Sequence, residues 1–446
     1  MSIYSLQLSE YKEELNASIQ NKNRFGEVIT PLFLVEKMLN LLPDSVFSNP
    51  NLKWLDPCVG TGHFSMLIYK RLFNSLRDEI KELKKRHHHI IAKMLHMVEV
   101  NPEHLQRLYS LFGENANIIN NDFLEHSVDE KYDIIIGNPP FNVNGKIKVP
   151  TDKKTLKKTD GKTIWCDFVI KSINLLKDNG HLIMITPSIW MKRDHKMFNT
   201  LTQVGENNKI HCFTNTETNR IFNKQAQTPT CYWIYTKNNN KKVTIWDSIN
   251  KKYINYPPIL SVPLSGSSVI TKLLPFVKKF GHIPVIKTSM RPDYKGIDII
   301  EKCDNNHKYP NISTCKINNL KPQLVINYSD KPCVFYGKEK LVLAHKMYGF
   351  PYYDSIGEYG ISNRDNYVIT GYSKNDYIKL EKFLSLKLAL FIFDSTRYRM
   401  KYLERYAFEF LPDITKIKDF PDIINDNTVA DYFNFTQDEI SAILIY

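Results

Sequence analysis

Residues 52–64 read Leu52-Lys53-Trp54-Leu55-Asp56-Pro57-Cys58-Val59-Gly60-Thr61-Gly62-His63-Phe64, and this stretch decides the fold. A strand candidate (52–57) runs into a Gly-x-Gly turn, and a helical pattern over 62–85 follows. Glycines at a strand-to-helix turn let the backbone come close to a ligand. The turn has no Gly-Lys-Ser/Thr of a phosphate loop, and its Gly-x-Gly is too short for the dinucleotide fingerprint. Working outward, short apolar runs predict strands at 94–100, 117–121, 132–137, 181–186, 209–214 and 231–236. Amphipathic stretches predict helices at 31–42, 102–112, 164–177 and 191–203. Strands alternating with helices mean crossover units, hence α/β architecture with a doubly wound, mostly parallel, Rossmann-like sheet. The last two strands lie close together in the chain, so the sheet is expected to end in an antiparallel pair.

The chain has 446 residues, 42% of them hydrophobic and 12% aromatic, enough to build cores and too many for a disordered chain. No apolar run approaches the roughly 18 residues of a membrane span. The start, MSIYSLQLSEYKEEL, has no apolar signal core, so a cytoplasmic, non-secreted protein is expected. Seven widely spaced cysteines, with no Cys-x-x-Cys, read as reduced thiols rather than disulfides or a zinc site. Net charge is +13, unevenly spread: +6 over residues 1–240, +12 over 241–410 and −5 over the last 36. A basic second half suggests a polyanion partner, although a general bias toward Lys, Asn and Ile gives the same sum. The polar stretch 238–242 is read as a linker between a domain at 1–240 and an α+β domain at 241–446. In the latter, β-like stretches fall at 243–247, 323–328 and 340–344, and a helix at 376–393. Residues 142–163 form a polar loop with seven lysines against two aspartates.

Four groups of residues carry chemistry. The first is the Asp56-to-Phe64 turn itself. The second is Glu99, ending the second strand, where an acid can accept hydrogen bonds from both hydroxyls of a ribose; strand-ending acids are also common without such a role. The third is Asn121-Asp122-Phe123: Asp122 can accept from an adenine amino group and Phe123 can cover the ring, or Asp122 can cap a helix. The fourth is Asn138-Pro139-Pro140-Phe141, directly after the apolar strand 132–137. An exocyclic amine is a poor nucleophile because its lone pair is delocalised into the ring. It needs acceptors that hold its protons while the nitrogen pyramidalises. The Asn138 side-chain carbonyl and the Pro139 backbone carbonyl suit that task, and the prolines stiffen the turn that carries them. Phe141 offers a flat face for a base flipped out of the helix.

The order of these motifs resembles the gamma class of DNA N6-adenine methyltransferases of restriction-modification systems. Arg24-Phe25-Gly26-Glu27-Val28-Ile29-Thr30-Pro31 resembles that family's N-terminal motif, and the likeness covers about residues 24–237. Beyond it, only the basicity and the phrase Tyr406-Ala407-Phe408-Glu409-Phe410-Leu411-Pro412-Asp413 are similar. The resemblance implies S-adenosyl-L-methionine as cofactor, held by Thr30, Pro31, Asp56, Pro57, Gly60, Thr61, Gly62, Phe64, Glu99, Asp122 and Phe123. It implies catalysis by Asn138, Pro139, Pro140 and Phe141 on double-stranded DNA (EC 2.1.1.72), and a target-recognition role for 241–446. Phe222 sits where a second aromatic for the flipped base is expected; ordinary core packing is its other reading. Lys153, Lys154, Lys157 and Lys158 are expected to meet phosphates. A cognate restriction endonuclease is an implied partner. His63 departs from the family, which usually has a small residue there, and so could narrow the cofactor pocket.

Two features receive ordinary readings: His87-His88-His89 cannot put three imidazoles on one helix face, so no metal is expected, and the acids after Pro292-Asp293 form no nuclease pattern. The rivals are an Asn-Pro-Pro-Phe enzyme acting on RNA bases or a protein glutamine, and a non-catalytic DNA-binding modification subunit.

Overall fold

The structure, a computed structural model, describes residues 16–143, 162–203, 209–226, 228–238, 243–257, 260–287, 296–318, 321–345, 350–364, 366–399 and 403–446. Lys153, Lys154, Lys157 and Lys158 lie outside the described residues, as do Pro292 and Asp293. The chain divides into two compact units between Ile245 and Trp246. Among the described residues no helix is long and apolar enough to cross a membrane, and all seven cysteines are free thiols.

The first unit is a mixed α/β layer structure on one large sheet. Its strands are β1 (Trp54–Asp56), β2 (Leu95–Glu99), β3 (Asn117–Asn120) and β4 (Tyr132–Gly137), followed by the two-residue strands β5 (Asn142–Val143) and β6 (Lys162–Thr163), which pair only with each other. Then come β7 (Leu176–Pro187), β8 (Lys209–Phe213), β9 (Thr230–Thr236) and β10 (Val243–Asp247). Within the unit the large sheet runs β10-β8-β9-β7-β4-β1-β2-β3. From β1 the chain winds one way through β2 to β3, then returns to the other side of β1 for β4 and β7. All these pairs are parallel. Right-handed crossovers in opposite directions put helices on both faces and open a crevice at the carboxyl edge where the winding reverses, between β1 and β4. β1 and β2 are buried at every position, which is why they read as apolar runs rather than alternating ones.

Several expectations need correction. The antiparallel pair expected of the last two strands is present as β8 and β9, but it does not form the end of the sheet. β9 is antiparallel to both β7 and β8 and lies between them, and β10 then adds in parallel to β8 through Thr244↔Lys209 and Ile245↔Ile210. The stretch 243–247, expected in the second domain, therefore joins the first sheet, its Val243 and Ile245 almost fully buried. The helix expected over 62–85 is two, α3 (His63–Ser75) and α4 (Leu83–His89), with a wider π turn over Ile90–Met94. The helix expected over 191–203 is a single 3-10 turn (Ser188–Met191) and the short α7 (Phe198–Gln203). The segment from Trp190 to Phe198 buries Trp190, Met191, Met197 and Phe198 almost completely and exposes Arg193, Asp194 and Lys196, a spacing that places the apolar residues on one helical face and so reads as a helix although the middle of the segment is turns.

Ahead of the sheet lie α1 (Ile19–Phe25) and α2 (Leu32–Leu39). Ser18 Oγ caps α1 by accepting from Asn21 N–H, and Gly26 ends it at φ +70°. This arm is pinned far along the chain. Ala17 N–H donates to Gln225 Oε1, Asn16 Oδ1 accepts from the Asn223 and Gln225 amides, and Lys22 Nζ donates to the Gln225 carbonyl. The remaining helices are α5 (Pro102–Phe112), α6 (Trp165–Leu175) and α8 (Asn215–Ile221), the last closed by a Thr214–Glu217 capping box.

The second unit begins with β11 (Lys252–Tyr256) and α9 (Ser267–Phe280), and two four-stranded sheets follow. One orders β12 (Ile286–Lys287), β19 (Asn366–Ile369), β16 (Lys340–Ala344) and β17 (Tyr352–Asp354). The other orders β13 (Ile299–Ile300), β15 (Lys321–Ser329), β14 (Tyr309–Asn318) and β18 (Gly360–Ile361). The single helix expected over 376–393 is α10 (Lys374–Leu384) and α11 (Lys387–Ser395). The break at Ser385 lets Tyr377, Leu380, Phe383 and Leu384 bury one stripe while α11 buries nearly all round. The phrase 406–413 is largely a 3-10 turn whose Phe408, Phe410 and Leu411 are fully buried, so its job here is packing.

One ion pair organises two turns of this unit. Lys340 Nζ, fully buried, pairs with Asp354, 2% exposed, and also donates to the carbonyls of Phe335 and Lys338. Asp354 in turn accepts from Glu358 N–H and Tyr359 N–H. The turns meet back to back at Gly337 and Gly357, where Gly337 N–H donates to Gly357 C=O at 2.8 Å and a Cβ on Gly357 would sit 2.5 Å from Gly337 backbone atoms. Removing one partner of a buried pair leaves the other charge uncompensated, at a cost of about 3–5 kcal/mol. Lys340→Met is therefore expected to lower the unfolding free energy measured by urea denaturation of the full chain by that amount, and Lys340→Met/Asp354→Asn to recover at least half. A loss under about 1 kcal/mol for the single variant would mean that the pair does not hold the turns.

Candidate active site

The carboxyl ends of four adjacent parallel strands deliver the site. Register places Asp56 beside Met97 and Glu99 beside Asn120, while β4 ends one residue before Asn138. Asp56, Glu99, Asn120 and Asn138 thus lie along one sheet edge, at the crevice where the winding reverses.

The glycine turn is held by two carboxylates. Glu99, 5% exposed, accepts from Gly60 N–H through Oε2 at 2.6 Å and from Asn101 N–H through Oε1 at 2.7 Å. Burial pushes its carboxyl up, against the pull of these two donors. Asp56 is fully buried. It accepts from Ser65 Oγ at 2.9 Å, tying β1 to the first turn of α3, and from Cys58 N–H at 3.4 Å. Its side chain thus shapes the turn from within. Gly60 has φ +55°, and a Cβ there would meet nothing within 4 Å; this is the open side of the turn. Gly62, at φ +93°, heads α3 and packs its α-carbon side on Leu108. Gly137 brings β4 against Pro57, Asp56 and Cys58, leaving 3.2–3.4 Å for an added Cβ. Pro57 is buried, and Thr61 and Phe64 are 6% and 4% exposed.

Beside Glu99 stands a pair that sequence reasoning missed: His104 Nε2 lies 3.1 Å from Glu27 Oε1. Burial alone would lower the His104 imidazole, but Glu27 and the charge of Glu99 outweigh it and raise it. Asp122 heads a turn rather than a helix, its Oδ1 accepting from Leu124 N–H at 2.8 Å. Phe123 is 2% exposed and packs on Phe168 at 5.1 Å. Lys171 of α6, also unremarked in the sequence, fixes this turn by donating to the carbonyls of Phe123 and His126.

Asn138 is half-buried, and its amide nitrogen donates to Val28 C=O at 3.1 Å and to Thr30 Oγ1 at 3.0 Å. Pro139 is buried; Pro140 and Phe141 are half-buried. Thr30 and Pro31, 4% exposed and buried respectively, sit at the start of α2, and His63 Nδ1 lies 2.8 Å from Thr30 C=O. Phe222 is 2% exposed and belongs to the main core with Phe213 and Tyr232, which is the packing role. His87 and His89 point to separate partners, Tyr69 OH and Pro50 C=O. Among the described residues no cluster could hold a metal.

Residues 63–222 match the Eco57I restriction-modification methylase family. An uncharacterized adenine-specific methylase of Mycoplasma pneumoniae is 25% identical over 334 residues, 55% of this chain and 76% of that one. The type II methyltransferase M.VspI of Vibrio sp. (strain 343) is 29% identical over 181 residues, 39% of each chain. M.AccI of Acinetobacter calcoaceticus is 28% identical over 187 residues, 40% of this chain and 31% of that one. Against these two type II enzymes the match spans less than two fifths of their own length. The crystal structure of the type I restriction enzyme EcoKI M protein superposes at a TM-score of 0.37 and 17% identity, over 50% of this chain and 48% of that one. The sequence matches bear out the resemblance to adenine methyltransferases of restriction-modification type.

The buried Asp56 makes stability depend on pH. Burial pushes its carboxyl up to about 7, with Ser65 and Cys58 N–H offsetting part of the rise and the Glu99 charge adding to it. The folded state then holds this proton more tightly than the unfolded chain, whose value is about 3.9. The contribution is fully present below that value and is lost as pH rises toward about 7, at up to about 1.4 kcal/mol per pH unit. Asp56→Asn keeps the size and an acceptor and removes the titration. Its urea midpoint should exceed the parent's at pH 8, with the gap closing toward pH 5; an equal gap at both pH values would contradict the buried-acid reading.

Proposed function

We propose that this chain is a site-specific DNA methyltransferase acting on the N6 amine of an adenine flipped out of double-stranded DNA, with S-adenosyl-L-methionine as the methyl donor. The observation that carries the reading is the Asn138 amide. Its nitrogen is committed to Val28 C=O and Thr30 Oγ1, so its oxygen is the end left to meet a substrate's amine.

The residues fit the cofactor. Gly60 opens the turn where a Cβ would meet nothing, and Glu99 is an acceptor-only carboxylate at a strand end. Each Glu99 oxygen takes one backbone N–H and keeps lone-pair capacity for the hydroxyls of a ribose. When bound, S-adenosylmethionine supplies a methyl group on a positively charged sulfur, an electrophile that needs no activation by the protein. The chain's part is to present the amine. Asn138 Oδ1 and the Pro139 carbonyl accept the two N–H bonds as the nitrogen turns pyramidal and its charge grows more positive, and they are fixed before the reaction begins. Phe141 gives a half-buried ring for the base to stack on. No side chain acts as a strong base, because the amine becomes acidic only as the new bond forms. Within this reading the second unit is the target-recognition domain, its charge supplied mainly by 241–410, and a restriction endonuclease of the same specificity is the counterpart.

Asn138→Ala is expected to slow single-turnover methylation of unmethylated chromosomal DNA by about 100- to 1000-fold while leaving cofactor titration nearly unchanged. Mass spectrometry of the digested product should find N6-methyladenine. Methylation only of RNA or of a glutamine would overturn the substrate; cofactor binding without turnover on any nucleic acid would mark a non-catalytic modification subunit. Glu99→Ala should do the opposite, weakening cofactor binding by about 10- to 150-fold, since charged acceptors are worth about 1.5–3 kcal/mol. Calorimetry checks this, and unchanged affinity would make Glu99 a brace for the turn alone.

A further inference from the structure

We infer that the N-terminal turn 26–30 is a positioning element for Asn138: Thr30, itself held by His63, locks the Asn138 amide with its oxygen toward the amine to be methylated. This rests on the proposed function and assigns Thr30 a different task from the cofactor contact its sequence motif suggests.

An asparagine amide is nearly symmetric in shape, yet its two ends have opposite hydrogen-bonding character. Turned over, Asn138 would offer N–H bonds to a group that already carries them, and the acceptor that the chemistry needs would be gone. Val28 C=O can only accept, so it selects the orientation with Nδ2 inward. One bond still leaves the amide free to swing about its side-chain torsion. The second bond, to Thr30 Oγ1 at 3.0 Å, uses the other N–H and fixes the plane. Both partners come from a single short segment, 108–110 residues earlier in the chain.

That segment is itself anchored at each end. Gly26 abuts the loop that follows Asn138 so closely that a Cβ would lie 2.2 Å from Asn142 O and 3.0 Å from Pro140 Cβ, and its φ of +70° favours glycine. At the other end His63 Nδ1 reaches Thr30 C=O at 2.8 Å from the first residue of α3. A carbonyl only accepts, so Nδ1 carries the hydrogen. His63, the position where this chain departs from its family, thereby joins the glycine turn to the support of Asn138, and both Thr30 and His63 are almost fully buried.

The test compares Thr30→Val, Thr30→Ser and His63→Ala with the parent and with Asn138→Ala, on unmethylated chromosomal DNA under single-turnover conditions. Thr30→Val keeps the shape and deletes the acceptor. A neutral hydrogen bond is worth about 0.5–1.5 kcal/mol, so the rate should fall about two- to twelvefold, with cofactor and DNA affinity unchanged and the melting temperature lowered by no more than about 2–4 °C. Thr30→Ser should restore the rate, and His63→Ala should lower it by less than Thr30→Val does. In an Asn138→Ala background Thr30→Val should cost nothing further, the signature of two groups acting as one. A matched loss of cofactor affinity in Thr30→Val would overturn the inference in favour of a cofactor contact, and an equal loss in the Asn138→Ala background would overturn it too. If Asn138→Ala is slow while Thr30→Val is not, the positioning role fails and the proposed function stands. An undiminished rate in Asn138→Ala overturns both.

Discussion

A carboxylate at the end of one strand holding the backbone of the turn after its neighbour is the interaction on which the first unit depends. Turns at the carboxyl edge of a parallel sheet leave N–H groups without ladder partners. Glu99 satisfies two of them, Gly60 and Asn101, with one side chain. That fixes the glycine turn against β2, and Asp56 fixes it from inside against α3 through Ser65. Burial makes both acids costly to charge, and the nearby Glu99 adds to that cost for Asp56. The unit accepts this destabilisation at the one place where it needs an open, rigid turn, a pattern expected of functional edges rather than of cores.

The arrangement divides labour by depth. Fully buried groups such as Asp56 and Ser65 shape the turn. Groups at the edge, Glu99 and Asn138, have part of their bonding capacity committed to the protein and part remaining. A half-committed polar group has a fixed direction before any ligand arrives, which is what preorganisation requires. In the second unit the same principle works without an edge group. Lys340 and Asp354 spend their charges wholly inward, on four backbone groups and on each other, and the result is two rigid turns joined at paired glycines.

What could be read from sequence follows from the range of the forces involved. The central strands were legible because burial on both faces writes an apolar run into consecutive residues. The glycine turn and Asn138-Pro139-Pro140-Phe141 were legible because each completes its own local geometry within a few positions. The division of 62–85 into two helices was hidden, since Ser75 to Leu83 carries no proline or glycine to mark it. The membership of 243–247 in the first sheet was hidden as well: the polar residues before it look like a linker, and only pairing with β8 reveals where it belongs. Phe222 illustrates the limit for side chains. Spacing located it near the expected base-stacking position but could not say that it faces Phe213 and Tyr232 in the core. The contact of Thr30 with Asn138 spans 108 residues, and no local pattern encodes it.

The pinned N-terminal arm also has a consequence in time. A ribosome releases Val28 and Thr30 long before Asn138, and Asn138 long before Gln225, the residue to which Lys22 and Ala17 are tied. At roughly 5–20 residues per second, synthesis takes on the order of ten seconds or more to cover the span from the arm to its anchor. Until then residues 16–22 lack the partners that Asn223 and Gln225 give them, whereas the neighbours of the 26–30 turn, His63 and the loop at 140–142, have already been made. The N-terminal arm is therefore tied down only after the chain has been made through β8 and α8, so that a copy cut short before Gln225 carries its first helix without the far anchor that the finished unit provides.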